Sequence, residues 1–510
     1  MGESDISKLS IRIKAMGFEE TNQEEIANQL FPLRDGAVIQ TITLSKESDL
    51  TCIAEHSQVQ EVTVSGFSRL LDLSVLRNTP ISKLVIDVQS LSKLDLKPLK
   101  NCQDLRVLEI TKTEISSIDL SPLTSCQNLR VFNISDCQIE SIVLSPLKQL
   151  DNLVGLYLYR NQLKRIDLTP LSNLYNLASL FLHSNNLSSL DITPLQTCTS
   201  LSTLSLSGNP LHGIDLTPLN SCTLLESLKL SRCCLSRLDL SFLSPNHSLW
   251  TLNLSDNPLT ELILSEEFEL TVARYIDISD TKLQSLDLSF LHNNTVLSSL
   301  ILKGNDLYHL DTTPLSSCHR IQKIDFSHNL LSNLDLSPLQ RHTLLSELNL
   351  SHNKLERIIL PKYGSNNIDI SHNRVSSLNL SPLKSHQILK LDLSSNNIDS
   401  LDLSPLSCRY RTDLIEHLSP VSMITGEVEQ LLLNLSDNSL CNIDLTPLAT
   451  IPHIGQIDLS NNPLFAIDFS PFLYHEHLKI VLDEKQIRLS EEIEMLPESI
   501  EIIEVPLTSH

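Results

Sequence analysis

The sequence predicts an α/β repeat solenoid dominated by β-strands. We expect a curved horseshoe with a parallel sheet on its concave side and short extended segments and helical turns on its convex side. The first observation is the pattern LxxLxLxxNxL, which returns every 24 residues from Leu105 to Leu345. The second is a composition with 41% hydrophobic but only 4% aromatic residues, which indicates an aliphatic core. Because one copy cannot bury its own leucine face, neighbouring copies must stack.

A single copy shows what each position contributes. Leu156 and Leu158 alternate with outward positions, and this period of two predicts a strand with its leucines inward. Asn161 follows the strand, and a buried asparagine there can bond the backbone of its own turn and of the next copy. Thr169-Pro170 resembles a helix N-cap followed by proline, so a short helical turn should come next.

Cysteine recurs at the last inward position of that helical turn, where a thiol is a small apolar filler. The chain has 11 cysteines, an odd number, which favours buried reduced thiols over a disulfide framework. Reduced thiols predict a cytoplasmic location. The cysteines at this position are Cys102, Cys126, Cys198, Cys222 and Cys318.

Three regions are predicted along the chain. Residues 1–38 are expected to form an N-terminal helical cap, and residues 39–477 an array of about 18 copies, mostly 24 residues long, with an insertion near 409–427. Residues 478–510 are expected to form an acidic C-terminal cap, because a solenoid must cover the ends of its core. We expect neither a signal peptide nor a membrane span, since the chain shows no apolar run of the required length.

The charge of the chain restricts its partners. A formal net charge of −23 argues against nucleic acid or an anionic membrane, and it favours protein partners with a basic surface. No nucleotide-binding, metal-binding or catalytic motif stands at its characteristic spacing. The sequence therefore predicts a monomer with no cofactor, no metal, no catalytic residue and no enzymatic activity.

The repeated LxxLxLxxNxL pattern resembles the leucine-rich repeat family over nearly the whole chain. The 24-residue unit, with a second extended segment in place of a long helix, is similar to short-unit cytoplasmic arrays of the phosphatase-regulator and internalin kinds. The resemblance implies a curved solenoid that binds proteins. It does not transfer any particular partner.

Four outward positions depart from the Ser, Asn and Asp that most copies carry. Tyr157 should lie beside Phe181, and Tyr159 beside His183, on adjacent strands. Aromatic side chains exposed on a polar face predict an anchor for a partner. The alternative is cross-strand aromatic pairing that only stabilises the sheet. The predicted surface also includes Arg160, Lys229, Arg232, Trp250 and Tyr275.

Further along, the same outward column becomes acidic. Asp325, Asp369 and Asp392 predict a docking strip for a basic partner, although Asp is also the usual residue at this position. A second aspartate column, in the convex segment, is expected to accept local hydrogen bonds rather than to bind cations. Three histidines, His328, His352 and His372, form a row that could share a metal or sense pH, but the repeat pattern alone explains their spacing.

These features predict a non-enzymatic protein-interaction scaffold that binds its partner on the concave face. An alternative is a regulatory subunit or an activator of a partner enzyme, either a phosphatase or a GTPase. A secreted or surface adhesin is a third possibility, and the recurrent thiols argue against it.

Overall fold

The computed structural model describes residues 41–44 and 60–506, apart from residues 68, 245, 363, 365, 386–387, 408–429 and 490–495. The predicted N-terminal cap and the insertion near 409–427 lie outside the described residues. The strands are β1 (Thr41–Leu44), β2 (Glu61–Phe67), β3 (Lys83–Gln89), β4 (Val107–Thr111), β5 (Val131–Ser135), β6 (Gly155–Tyr157), β7 (Ser179–Phe181), β8 (Thr203–Ser205), β9 (Ser227–Lys229), β10 (Arg237–Asp239), β11 (Thr251–Asn253), β12 (Glu261–Ile263), β13 (Tyr275–Asp277), β14 (Ser299–Ile301), β15 (Lys323–Asp325), β16 (Asn333–Asp335), β17 (Glu347–Asn349), β18 (Arg357–Ile359), β19 (Asn367–Asp369), β20 (Lys390–Asp392), β21 (Leu431–Asn434), β22 (Ile454–Asp458), β23 (Lys479–Asp483) and β24 (Glu501–Val505).

Most strands belong to one long parallel sheet that forms the concave side. In the described part of the chain this sheet has 20 strands, and each pairs with the next concave strand in chain order. Two separate two-stranded sheets, β10 with β12 and β16 with β18, lie in the second extended segment. Among the described residues that segment forms paired strands only at these two places. The architecture is the predicted solenoid.

The asparagine that follows most concave strands is buried and bonds the backbone of its own copy and of a neighbouring copy. Asn257 Nδ2 donates to the carbonyls of Leu230 and Leu254, both at 2.8 Å. Asn257 Oδ1 accepts the N–H groups of Cys233 and Leu235 at 2.9 and 3.0 Å. The prediction of a bonded asparagine is confirmed, but the second copy that it reaches is the preceding one. The other buried members are Asn161, Asn185, Asn209, Asn305, Asn329, Asn353, Asn373, Asn396, Asn438 and Asn462.

The recurrent cysteines are buried and unpaired, as predicted. The Cys126 and Cys198 thiols donate to the carbonyls of Leu99 and Leu171, each at 3.5 Å, in the preceding copies. Burial raises the pKa of both thiols to about 12, so they stay protonated. They fill the core and are poor nucleophiles.

The helical turns are 3₁₀ helices, and an aspartate two residues earlier caps most of them. Asp167 Oδ1 accepts the Thr169 N–H at 2.9 Å, while the threonine side chain makes no cap. The predicted Thr-Pro cap is therefore wrong, because the carboxylate two residues earlier reaches the free N–H first. Hydrogen bonds from the Thr169 hydroxyl and from its backbone N–H lower the pKa of Asp167, and such bonds explain the convex aspartate column without a cation. The turns are Ser74–Leu76, Lys97–Asn101, Ser121–Ser125, Ser145–Leu147, Thr169–Leu171, Thr193–Thr197, Thr217–Ser221, Ser241–Leu243, Ser289–Leu291, Thr313–Ser317, Ser337–Leu339, Ser381–Ser385, Ser404–Ser407, Thr446–Thr450 and Ser470–Phe472.

The sheet continues through the described part of the predicted C-terminal cap. Strand β23 leads into a short helix, α1 (Glu484–Leu489), and β24 pairs in parallel with β23. Gln486 Nε2 donates to the Leu459 carbonyl at 2.8 Å and so takes the place of the ladder asparagine. No helix in the described ranges is both long and apolar enough to cross a bilayer.

Candidate functional site

Eight described copies, all from Asn253 onward, carry a hydrogen-bonded pair on the concave face. An Asp or Asn at the end of the strand bonds the Ser two residues later through one side-chain oxygen. In the acidic half, Asp369 Oδ1 accepts the Ser371 N–H at 3.0 Å and its hydroxyl at 2.7 Å. Asn253 holds Ser255 in the same way, at 3.0 and 2.9 Å. This pair closes the turn that leads out of the sheet, so it is a structural element of the repeat.

Two neighbouring copies replace both members of this pair with ring side chains. Tyr157 and Phe181 take the Asp/Asn position, and Tyr159 and His183 take the Ser position. Tyr157 stacks on Phe181 with ring centroids 5.1 Å apart, and Tyr159 stacks on His183 at 4.6 Å. Phe181 also meets the edge of His183 at 5.9 Å. We call these four side chains the aromatic cluster.

The cluster lies flat on the sheet. A Cβ built on Gly155 would come within 2.5 Å of the Tyr157 ring, so glycine is needed beneath this tyrosine. Tyr159 and Phe181 are only 6% and 3% exposed. The prediction that all four side chains are exposed is therefore wrong for these two, because each ring is covered by its neighbour. Tyr157 and His183 are half-buried. Burial raises the pKa of both tyrosines, which remain neutral phenols.

Basic side chains surround the cluster. Burial, together with Arg160 and Lys229, lowers the pKa of His183 to about 4, so its ring is neutral near pH 7. Ser205 Oγ lies 3.3 Å from His183 Nδ1. Arg160 pairs with Asp136 at 3.3 Å, and Arg232 pairs with Asp256 at 3.2 Å.

The structure separates the other predicted residues from the cluster. Trp250 immediately precedes β11, three strands beyond Phe181, and the Arg274 guanidinium lies 4.7 Å from its ring centroid. Tyr275, on the next strand, donates its hydroxyl hydrogen to Asp277 Oδ2 at 3.0 Å. The sheet does not bring these two aromatic side chains into contact with the cluster.

The acidic strip is present but largely occupied by contacts within the chain. Asp369 and Asp392 are direct neighbours, as predicted, whereas Asn349 separates Asp325 from Asp369. Each of these aspartates bonds the Ser two residues later. Lys390 Nζ also lies 3.7 Å from Asp392. These contacts favour a structural role for the column, and docking of a basic partner stays a prediction.

Comparisons with known proteins agree with the solenoid architecture. No family model and no curated protein sequence matches the chain. A leucine-rich repeat protein of Leptospira interrogans superposes with a TM-score of 0.57 at 19% identity, covering 94% of this chain and 98% of that one. The chain has the leucine-rich repeat fold.

Two further leucine-rich repeat structures are similar over most of this chain. One is the ectodomain of the Arabidopsis thaliana receptor kinase GASSHO1/SCHENGEN3, in complex with CASPARIAN STRIP INTEGRITY FACTOR 2, with a TM-score of 0.62 and 18% identity. The other is Toll of Drosophila in complex with Spatzle, with a TM-score of 0.63 and 17% identity. They match 92% and 87% of this chain. This chain spans 54% of the Arabidopsis structure and 63% of Toll, and at these identities the likeness concerns the fold.

Sequence reasoning missed three residues of this leucine-rich repeat face. Gly155 supports the Tyr157 ring, and the unusual glycine in a strand is its signal. Asn133, beside Tyr157, has a buried Oδ1 without a hydrogen-bond partner among the described residues, although Ser135 follows it at the usual spacing. Ser205 borders His183 and is 3% exposed. No signal in the sequence marks Asn133 or Ser205, because both residue types are common at their positions.

The three histidines form a continuous stack on the rim of the leucine-rich repeat sheet. The ring centroids of His328 and His352 lie 4.2 Å apart, as do those of His352 and His372. Rings stacked face to face do not point their nitrogens at one ion. Within the described part of the chain, no group of three His, Cys, Asp or Glu side chains is arranged to hold a metal.

This stack predicts a pH-dependent contribution to stability. Burial and the two flanking rings lower the pKa of His352 below its ordinary value of 6.5. The unfolded chain therefore binds this proton more readily, so the contribution is complete above pH 6.5 and falls as the pH drops below it. When the pH is lowered from neutral to mildly acidic, the thermal unfolding midpoint of the wild type should fall further than that of His352→Asn. Equal losses in both proteins would contradict this prediction.

Proposed function

We propose that this protein is a non-enzymatic scaffold that holds a protein partner on its concave face, with the aromatic cluster as the anchor. The observation that carries the proposal is the substitution of two consecutive Asp/Asn–Ser pairs by four ring side chains. The sequence forms this pair elsewhere on the same sheet, starting with Asn253 and Ser255 three strands beyond Phe181. The two copies of the aromatic cluster lack this turn-closing pair and present an apolar surface instead.

The cluster also has a structural effect, and the two roles are separable. Each stacked pair contributes about 0.5–1.5 kcal/mol to folding, comparable to the lost hydrogen bonds. Stability alone therefore gives little reason for the exchange. A flat aromatic surface with a polar rim is the composition of an interaction hot spot. The half-buried Tyr157 and His183 retain exposed area that a partner can cover.

The fold neighbours agree with this use of the architecture. The Arabidopsis and Drosophila structures are complexes with other proteins. We infer a protein partner for the present chain as well. Regulation of a partner enzyme, a phosphatase or a GTPase, would use the same surface and stays a prediction. The cytoplasmic location and the monomeric state likewise stay predictions.

Site-specific photo-cross-linking tests which face of the solenoid contacts the protein partner. A photoreactive side chain is placed at Thr203, a half-buried concave position next to the cluster, or at Ser189, an exposed position in the convex segment of the adjacent copy. With cell extract, we expect a cross-linked product of discrete mass from position 203 and none from position 189. The same products from both positions, or a product from 189 alone, would contradict the proposal.

A further inference from the structure

The copy after the aromatic cluster is a strip of small concave side chains between two unlike borders, and we call this strip the trough. Tyr157, Phe181, Ser205 and Lys229 are consecutive partners in register across four strands. At a strand spacing of about 4.8 Å, the cluster edge and Lys229 are roughly 10 Å apart. The trough floor carries only small side chains, from Thr203, Ser205, Ser207 and Gly208.

We propose that this trough binds an acidic segment of the protein partner. In this arrangement, partner carboxylates lie between Arg160 on one side and Lys229 and Arg232 on the other, and an apolar partner residue rests on the cluster. This inference rests on the proposed function, since it specifies the chemistry of the same partner.

The first support is the local charge. Across the four copies from Val154 to Arg232, the concave positions carry the cations Arg160, Lys229 and Arg232, and the carboxylate of Glu226 stands before its strand. Residues 154–232 hold five Lys or Arg and four Asp or Glu, so this stretch lacks the acidic excess of a chain with a net charge of −23. Asp136 and Asp256 of the flanking copies pair with the two arginines. An acidic segment is attracted here and repelled elsewhere, which would fix its register on a long uniform face.

The second support is the set of hydrogen-bond donors. Arg160 and Arg232 side chains are 49% and 75% exposed, and their ion pairs with Asp136 and Asp256 hold them at the rim. A guanidinium has five N–H donors, so each keeps donors for a second carboxylate. The neutral His183 ring, whose Nδ1 lies 3.3 Å from Ser205 Oγ, carries one N–H group beside the arginines.

The trough differs from the acidic strip in what its polar groups already bind. The strip aspartates bond serines of their own turns, and a lysine stands beside Asp392. At the trough borders, Arg160 and Arg232 each pair with an aspartate of the copy beyond and keep further donors, while the floor carries no carboxylate. Charge complementarity therefore selects an acidic occupant.

The test uses the full chain and two synthetic fluorescent peptides of equal length, one rich in glutamate and one rich in lysine, each with a central phenylalanine. We expect the acidic peptide to bind, with an affinity that falls as salt is raised. The double variant Lys229→Gln/Arg232→Gln should weaken this binding about tenfold, which corresponds to about 1.4 kcal/mol. Lys303→Gln, a cation of the same face outside the trough, is the matched control and should leave the affinity unchanged.

The outcomes separate this inference from the proposed function. An acidic peptide that does not bind, or that binds the double variant as well as the wild type, overturns the acidic occupant. If cross-linking from Thr203 persists at full yield in the double variant, the partner is held without these cations, and the concave anchor stands while this inference falls. If the wild type gives no cross-link from Thr203, the proposed function itself falls. Thermal unfolding of each variant checks that the fold is intact.

Discussion

Replacement of Asn257 by alanine is expected to lower the free energy of unfolding by about 3–5 kcal/mol. The side chain is 1% exposed and joins two copies by donating to two carbonyls and accepting from two N–H groups. Removing it leaves several buried backbone groups without partners, and each costs about 1–3 kcal/mol before any relaxation or entry of water. Chemical denaturation followed by circular dichroism measures the loss.

Two other substitutions give reference values for this loss of unfolding free energy. Asn257→Cys should cost about half as much, because Cys233 at the equivalent position donates its thiol hydrogen to the Leu206 carbonyl at 3.4 Å. Asn152→Ala is the control at an exposed asparagine, whose amide makes one bond, to the Gln127 carbonyl at 3.0 Å, and it should cost about 0.5–1.5 kcal/mol. An equal loss for Asn257→Ala and Asn152→Ala would show that the ladder does not connect the copies.

Restoring the usual pair in both exceptional copies is expected to abolish partner binding and leave the fold intact. The variant Tyr157→Asn/Tyr159→Ser/Phe181→Asn/His183→Ser introduces the pair that Asn253 and Ser255 form nearby. It loses two stacked pairs of about 0.5–1.5 kcal/mol each and regains turn hydrogen bonds of similar size. Partner affinity should fall at least about 30-fold, the effect of removing one hot-spot residue worth about 2 kcal/mol.

The matched control lies on the same sheet. Ile301 and Lys303 also occupy the two positions of the pair without forming it. Ile301→Asn/Lys303→Ser makes the same chemical change, five strands beyond Phe181. We expect this control to keep wild-type affinity, which separates the effect of the cluster from that of any change on the concave face.

The architecture was predictable because it depends on side-chain period and stacking. The alternation at Leu156 and Leu158 fixes the inward face, and the position of Asn161 fixes where each strand ends. The pairing of Tyr157 with Phe181 follows from a 24-residue repeat in a parallel sheet, so the membership of the cluster was also predictable.

The details of the site depend on side-chain directions that the repeat does not determine. At the Thr169 turn the Asp167 carboxylate, two residues earlier, accepts the free N–H in place of a threonine cap. Which of the two side chains caps the turn depends on their rotamers. Phe181 is buried because Tyr157 stacks on it and His183 meets it edge to face, whereas the sequence places it only on the outward side. Trp250 is apart from the cluster because it lies three strands beyond Phe181, and only its contact with the Arg274 guanidinium depends on side-chain direction.

The most direct test of the aromatic anchor is the dissociation constant of the cross-linked partner, once identified and purified, for three proteins. These are the wild type, the four-residue variant and the Ile301→Asn/Lys303→Ser control, each measured by calorimetry alongside its thermal unfolding midpoint. If the aromatic cluster is the anchor, the affinity for the partner falls by at least about 30-fold in the four-residue variant alone, and all three proteins have similar thermal unfolding midpoints. Unchanged affinity together with a lowered midpoint in that variant would contradict the anchor and show that the rings only stabilise the sheet.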